Sequence, residues 1–193
     1  PNVYLGRAFT PNHQAFGRFR GGAAWESLWM VRGSRLVNVT LTGSGCHNGG
    51  VFHKGLFGGY PSPGWKCLWA RGTNLRKLIE RGGKVPSSIN EAEAMLRKGT
   101  LHAEEWYVGP LNQWSPNLRD DDLFGVLYQG GSGYGDPLER DTARIEKDMA
   151  NGLLTEAVAK KVYGFAGSEA KTAALRDKLR KKRLAESFPA ERW

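Results

Sequence analysis

The chain has 193 residues, 40% of them hydrophobic and 11% aromatic, which excludes disorder throughout and suits one domain of ordinary size or one domain with an appendage. Its 26 glycines and 9 prolines predict turn-dense, irregular backbone, and no apolar run approaches the roughly 18 to 20 residues of a membrane-spanning helix. The net charge of +9 is concentrated at one end: residues 160–193 hold ten basic and four acidic side chains, so the body is close to neutral and the basic character belongs to the tail.

Residues 1–22, with Tyr4, Phe9, Phe16 and Phe19 at no helical period, read as extended, anchored coil. Trp25 to Val31 and Leu36 to Leu41 are rich in apolar and β-branched residues, and Arg32-Gly33-Ser34-Arg35 between them has the composition of a tight turn, so a hairpin is expected. From Gly43 to Gly64 glycine and proline recur too often for a helix. Val51, Phe52, Leu56, Phe57, Tyr60 and Trp65 are too apolar for a solvated linker, which predicts a packed, irregular loop.

Ser87 to Lys98 carries helix signals at both ends. Ser87, Ser88 or Asn90 can cap it, Glu91 and Glu93 suit its first turn, and Gly99 stops it after Arg97 and Lys98. Trp106 to Val108 and Leu123 to Tyr128 read as strands. Helices then follow from Asp141 or Thr142 to Ala150, from Thr155 to Gly164, and from Ser168 to about Glu186. The last has only Leu175, Leu179 and Leu184 as a narrow apolar stripe, so it is expected to protrude or to lie on another subunit. The fold class is α+β: a β-rich body with irregular Gly-rich loops over residues 1–141, and a helical segment with a basic C-terminal helix over 142–193.

Candidate chemistry is sparse. Gly130 to Asp141 places four glycines in six residues, Gly130, Gly131, Gly133 and Gly135. Such a run can turn successive N–H groups inward as an anion-binding nest, or can serve as a close-packed connection set by Asp136-Pro137. It is neither a P-loop nor a dinucleotide fingerprint, because no Gly-Lys-Ser/Thr follows and the glycine spacing is wrong. Gly131, Gly133, Asp136 and Arg140 would shape an anion-facing turn, with Arg18 and Arg20 as phosphate or carboxylate partners.

Cys46, His47, His53 and Cys67 are zinc-compatible side chains at a spacing unsuited to a structural site, and no metal ligand set, general acid or general base is assigned. Glu104-Glu105 and Asp120 to Asp122 read as solvated or turn residues, and Trp65 and Trp69 as packing or subunit-interface residues. The four consecutive cations Arg180 to Arg183 admit nucleic acid, but no aromatic interleaving accompanies them, and docking on an acidic partner or plain solvation fits better. Two cysteines cannot build a disulfide framework and no secretory leader opens the sequence, so a cytoplasmic protein without membrane association is expected. A chain opening at Pro1 fits either removal of an initiator Met or the distal piece of something longer.

Four segments in order, Arg18-Phe19-Arg20-Gly21-Gly22, Gly55 to Pro61, Gly130 to Asp141 and Glu156 to Gly164, resemble the C-terminal part of the hydantoinase B/oxoprolinase family. The stretch from Trp65 to Asp122 is more similar to its acetone and acetophenone carboxylase branch. Ser132 departs from the family's usual Gly. Family members are several hundred residues long, so the resemblance implies a separately encoded small subunit or a fragment covering their last third; residues 165–193 extend past the pattern.

The resemblance further implies a cytoplasmic hetero-oligomer containing hydantoinase-A-like ATP-binding subunits and the rest of a hydantoinase-B-like subunit. ATP and Mg²⁺ would sit on a partner subunit, with no cofactor in this chain and no activity alone. In the carboxylase branch ATP is used to activate bicarbonate and a ketone. In the hydantoinase and oxoprolinase branch it drives opening of a cyclic amide. A non-catalytic scaffold subunit is the third expectation.

Overall fold

The computed structural model describes residues 1–40, 54–110 and 116–187. The body is a five-stranded sheet in the order β1-β2-β7-β4-β5, antiparallel throughout. Its strands are β1 (Asn2–Phe9), β2 (Trp25–Val31), β4 (Lys66–Arg71), β5 (Glu105–Gly109) and β7 (Leu123–Leu127). A separate two-stranded ladder pairs β3 (Val37–Asn38) with β6 (Asn117–Leu118). The fold is α+β, with three of its helices in the C-terminal part.

Two sequence expectations are corrected. Asn2–Phe9 is a strand rather than coil; it runs along the edge of the sheet against β2, and its largely exposed side chains erase the alternation that marks a half-buried strand. The segment after β2 does not fold back on it. β2 is flanked by β1 and β7, so both of its edges are occupied, and Val37–Asn38 finds its partner at Asn117–Leu118 instead. The chain bends at Gly33, φ +69°, and Asp120 and Asp121 hold the bend by accepting from Gly33 N (2.6 Å) and Arg32 (3.3 Å).

Central β7 is buried along its whole length and separates two apolar layers. On one face Leu28, Leu68, Ala70, Leu123 and Leu127 pack under α2 (Ile89–Lys98) and Leu75 of α1 (Leu75–Glu80). On the other, Val31, Phe124, Val126 and Leu118 form a smaller layer with Trp29, Trp65 and Trp69 packed against it. Gly125 makes the helix side possible: a Cβ there would stand 2.8 Å from Leu28 Cδ1 and 2.9 Å from Ile89 Cγ1.

α2 is built as its sequence predicts, with Ser88 accepting from Glu91 N at 3.1 Å and Gly99 ending the helix in the left-handed region. Its first amide, Ile89 N, donates to the buried Glu26 carboxylate at 2.8 Å, so a negative charge in the core faces a helix N-terminus. The C-terminal helices α3 (Thr142–Ala150), α4 (Glu156–Tyr163) and α5 (Glu169–Ala185) follow the predicted caps, and Ile145, Leu154, Ala159, Tyr163 and Phe165 form a third cluster onto which Phe16 packs.

Candidate functional site

The glycine run meets two other loops. Residues 15–22 and 55–60 lie against 131–135 through backbone bridges, Phe19 opposite Tyr134 and Leu56 beside it. The approach is too close for side chains. A Cβ on Gly21 would fall on the Gly131 carbonyl, and one on Gly133 on the Phe16 carbonyl. This is the close-packed connection, and it uses the amides that a nest would need. Gly131 N donates to Gly22 O (3.2 Å), Gly133 N to Tyr60 O (3.0 Å), Tyr134 N to Phe19 O (2.9 Å) and Gly135 N to Leu56 O (2.9 Å). Gly131 and Gly133 therefore act by bringing three chain segments within hydrogen-bonding distance, with their N–H groups turned into the protein.

The six sequence candidates lie in one junction but not in one role. Asp136 caps the short 3₁₀ turn Pro137–Glu139 by accepting from Leu138 N at 2.8 Å. Arg20 and Arg140 are drawn together by a residue the sequence reading missed, Asp148 of α3. Arg20 grips it with two nitrogens, at 2.9 and 3.0 Å, and Arg140 Nη2 donates to it at 2.7 Å. Arg140 also donates to Arg18 O at 3.2 Å, while Arg20 donates to Gly21 O at 2.8 Å. Arg18 alone of the three arginines projects outward, 3.7 Å from Glu139.

The side chains of Arg140 and Asp148 are only 5% and 6% exposed, so a carboxylate shared by two guanidinium groups sits in the interior with a net positive charge. Carbonyl oxygens absorb part of that charge, and the face of Tyr163 lies 5.6 Å from the Arg140 guanidinium carbon. Burial pushes the Tyr163 hydroxyl up to about 12, which keeps it protonated. Asp148 carried one usable sequence signal: an acidic residue in the last turn of a short helix, where the helix dipole favours cations, three positions after the apolar inward residue Ile145.

α5 closes the junction within this chain and does not protrude from it. Arg176 donates to Tyr163 O (2.9 Å) and Arg140 O (2.6 Å), Arg180 to Leu138 O (3.4 Å), and Arg183 pairs with Asp136 at 3.2 Å. Desolvation lowers the Arg176 pKa, yet its guanidinium remains the donor to both carbonyls. Part of the basic tract is therefore an intramolecular strap.

A second concavity of about 700 Å³ is bordered by Arg71, Glu105, Arg119, Asp120 and Asp122. Its charges are largely satisfied among themselves: Arg71 pairs with Glu105 at 2.7 Å, and buried Asp122 accepts from Gly72 N and Arg119 N. Burial raises the Asp122 pKa. Of the zinc-compatible residues, Cys46, His47 and His53 lie outside the described residues. Cys67 is buried in β4, where desolvation pushes its thiol up to about 12, far from a metal-binding thiolate.

No family model matches the chain. Individual proteins do. The acetone carboxylase alpha subunit of Xanthobacter autotrophicus is 32% identical over the whole of this chain, which covers 26% of that relative. The acetophenone carboxylase delta subunit of Aromatoleum aromaticum is 25% identical over 76% of this chain and 21% of its own length. The nucleotide-free structure of an acetone carboxylase superposes on 98% of this chain with a TM-score of 0.79 at 31% identity.

These likenesses support the acetone/acetophenone carboxylase branch that the sequence motifs resemble. An ATP-dependent caprolactamase from Pseudomonas jessenii shares the fold, with a TM-score of 0.54 at 19% identity. The chain spans about a quarter of the length of the carboxylase relatives it matches, rather than the third expected. In those relatives the equivalent region is accompanied by roughly three times as much further polypeptide.

Proposed function

We propose that this chain is a component of an ATP-dependent ketone carboxylase that joins bicarbonate to a small ketone, and that it works only together with other polypeptides. The observation that carries this reading is the 32% identity to an acetone carboxylase alpha subunit across the whole chain. ATP and Mg²⁺ would be held by a hydantoinase-A-like partner subunit in a soluble hetero-oligomer. The chemistry of this chain agrees with that division. Its glycine-rich loop spends its amides on neighbouring carbonyls, and two of its candidate arginines are committed to Asp148.

The role that fits is architectural. Three loops locked together by backbone hydrogen bonds, and strapped by α5, form a rigid wall, and rigid walls keep water from activated intermediates and hold reacting groups in place. The test is to purify the native assembly through a tag on this chain and to follow ¹⁴C-bicarbonate into acid-stable product. Incorporation that needs ketone and ATP, and is absent with this chain alone, is expected. Hydrolysis of hydantoin, 5-oxoproline or a lactam by the assembly, without ketone carboxylation, would replace the carboxylase reading with a cyclic-amide hydrolase.

A further inference from the structure

The loop junction, whose glycine amides donate to neighbouring carbonyls, carries an apolar surface on its outer side. Phe19, Leu56, Phe57 and Tyr134 are 47%, 59%, 78% and 48% exposed. They form one patch: the Tyr134 ring lies 6.2 Å from Phe19 and 5.2 Å from Phe57, and the backbones of residues 19 and 56 are each bridged to that of residue 134. Arginines rim it, since the guanidinium carbons of Arg18 and Arg144 each stand 5.6 Å from the Phe19 ring.

Phe57 is held in this patch against its own backbone preference. Its φ is +50°, followed by Gly58 at +85°, and Gly59 N closes the turn on Leu56 O at 3.0 Å. Positive φ at a bulky aromatic costs about 1 kcal/mol or more. Asn, Asp or Gly would suit the turn better. Strain at a residue that is also largely exposed contributes nothing to the isolated chain, so its benefit has to lie in something that covers it. A strained, preorganised aromatic on a rigid base, ringed by arginine, has the composition of an interface anchor.

We propose that this patch is the docking surface for the remaining polypeptide of a carboxylase subunit, the part that accounts for the other three quarters of the relatives' length, whether joined to this chain or separate from it. This inference rests on the carboxylase-component reading above. Two features of the patch select such an occupant. A surface built from fixed backbone and large rings suits a preformed protein face rather than a flexible peptide, and Arg144 at the rim, beside the Arg18–Glu139 pair, calls for a carboxylate on the facing side. The exposed Val3, Tyr4 and Phe9 do not make a comparable surface, because they are spread along the edge strand β1.

The test places a photo-crosslinking phenylalanine analogue at position 57 in the source cells and identifies the peptide joined to it in the purified assembly. A link to polypeptide aligning with the rest of the carboxylase relatives' length is expected. A link to a second copy of this chain or to a nucleotide-binding subunit would overturn the proposal. So would an intact carboxylase assembly in which hydroxyl-radical labelling of Phe57 matches that of the isolated chain; both results would leave the carboxylase reading standing. An isolated, companion-free chain in the source cell would sink that reading itself.

Phe57→Asn supplies the second arm. Asn tolerates positive φ, so the isolated chain should keep or slightly raise its melting temperature. In the complete assembly, by contrast, the variant should melt at a lower temperature than wild type, as expected on loss of a central aromatic anchor. An unchanged melting temperature of the assembly, or loss of stability in the isolated chain, would overturn the docking role.

Discussion

At the residue scale, the decisive side chain is Asp148. Among the described residues it is the one carboxylate facing both Arg20 and Arg140 in the interior, and removing it leaves two guanidinium groups without their shared counter-charge. Breaking a buried ion pair from one side typically costs about 3–5 kcal/mol. Asp148→Asn should therefore lower the urea midpoint sharply, while Arg18→Ala, at an exposed 3.7 Å pair with Glu139, should change stability by no more than about 1 kcal/mol. A second residue-scale prediction concerns Cys67. With its thiol raised to about 12 and its side chain inaccessible, the folded chain should resist iodoacetamide at this position at pH 8, and the Cys67 peptide should become alkylated only after denaturation, as mass spectrometry would show.

Elements whose signals are local were legible in the sequence. α2 is the clearest case: Ser88, Glu91 and Gly99 mark its ends through hydrogen bonds and backbone conformation that depend only on nearby residues. The Asp141 cap of α3 and the left-handed Gly164 after α4 were readable for the same reason. β1 and the partner of β3 were not, because strand pairing is decided by segments far apart in sequence. Asn2–Phe9 shows no alternation because only its middle is covered, Leu5 by the core under α2 and Gly6 by Ser87, and the turn composition of Arg32 to Arg35 suggested a local hairpin that the occupied edges of β2 exclude. In the glycine run, composition showed that backbone had to come close, but the identity of the approaching backbone was a tertiary fact.

α2 also carries a pH prediction. Glu91 accepts from Lys84 and from Ser87 N, and these contacts, Lys84 first, hold its carboxyl down to about 2 against 4.5 for the free side chain. The folded state therefore binds the proton less tightly than the unfolded state. The contribution of Glu91 is fully present above about pH 4.5 and is lost as pH falls through 4.5 towards 2. Thermal melts between pH 6 and 2.5 should show wild-type stability declining more steeply than that of Glu91→Gln. Ser88→Ala, which removes the cap itself, should cost about 1 kcal/mol.

Across the whole molecule, the sheet body and the C-terminal helices are joined by polar contacts as much as by apolar ones. Arg20 to Asp148 and Phe16 to Tyr163 cross from the first segment to the helices, and α5 is fastened chiefly by three arginines. These arginines differ in kind. Arg176 is half-buried and donates to two carbonyls, one of them Tyr163 O at the end of α4, where it serves as a C-terminal cap. Arg183 reaches Asp136 in an ion pair whose side chains are about 40% exposed on each side.

Salt should separate the two arginines. At about 1 M NaCl the Debye length is only about 3 Å, which screens an exposed pair but leaves buried hydrogen bonds to carbonyls intact. Arg176→Ala should loosen α5 by about 1–3 kcal/mol at any salt concentration, because two carbonyls lose their donor. Arg183→Ala should cost no more than about 1 kcal/mol in dilute buffer and nothing measurable at high salt. Hydrogen exchange of the α5 amides provides the measurement. Faster exchange in Arg176→Ala at both salt concentrations, together with an Arg183→Ala effect that vanishes in high salt, would identify the strap as a hydrogen-bonded part of the fold; equal salt sensitivity in the two variants would instead mean that net charge alone holds the helix down.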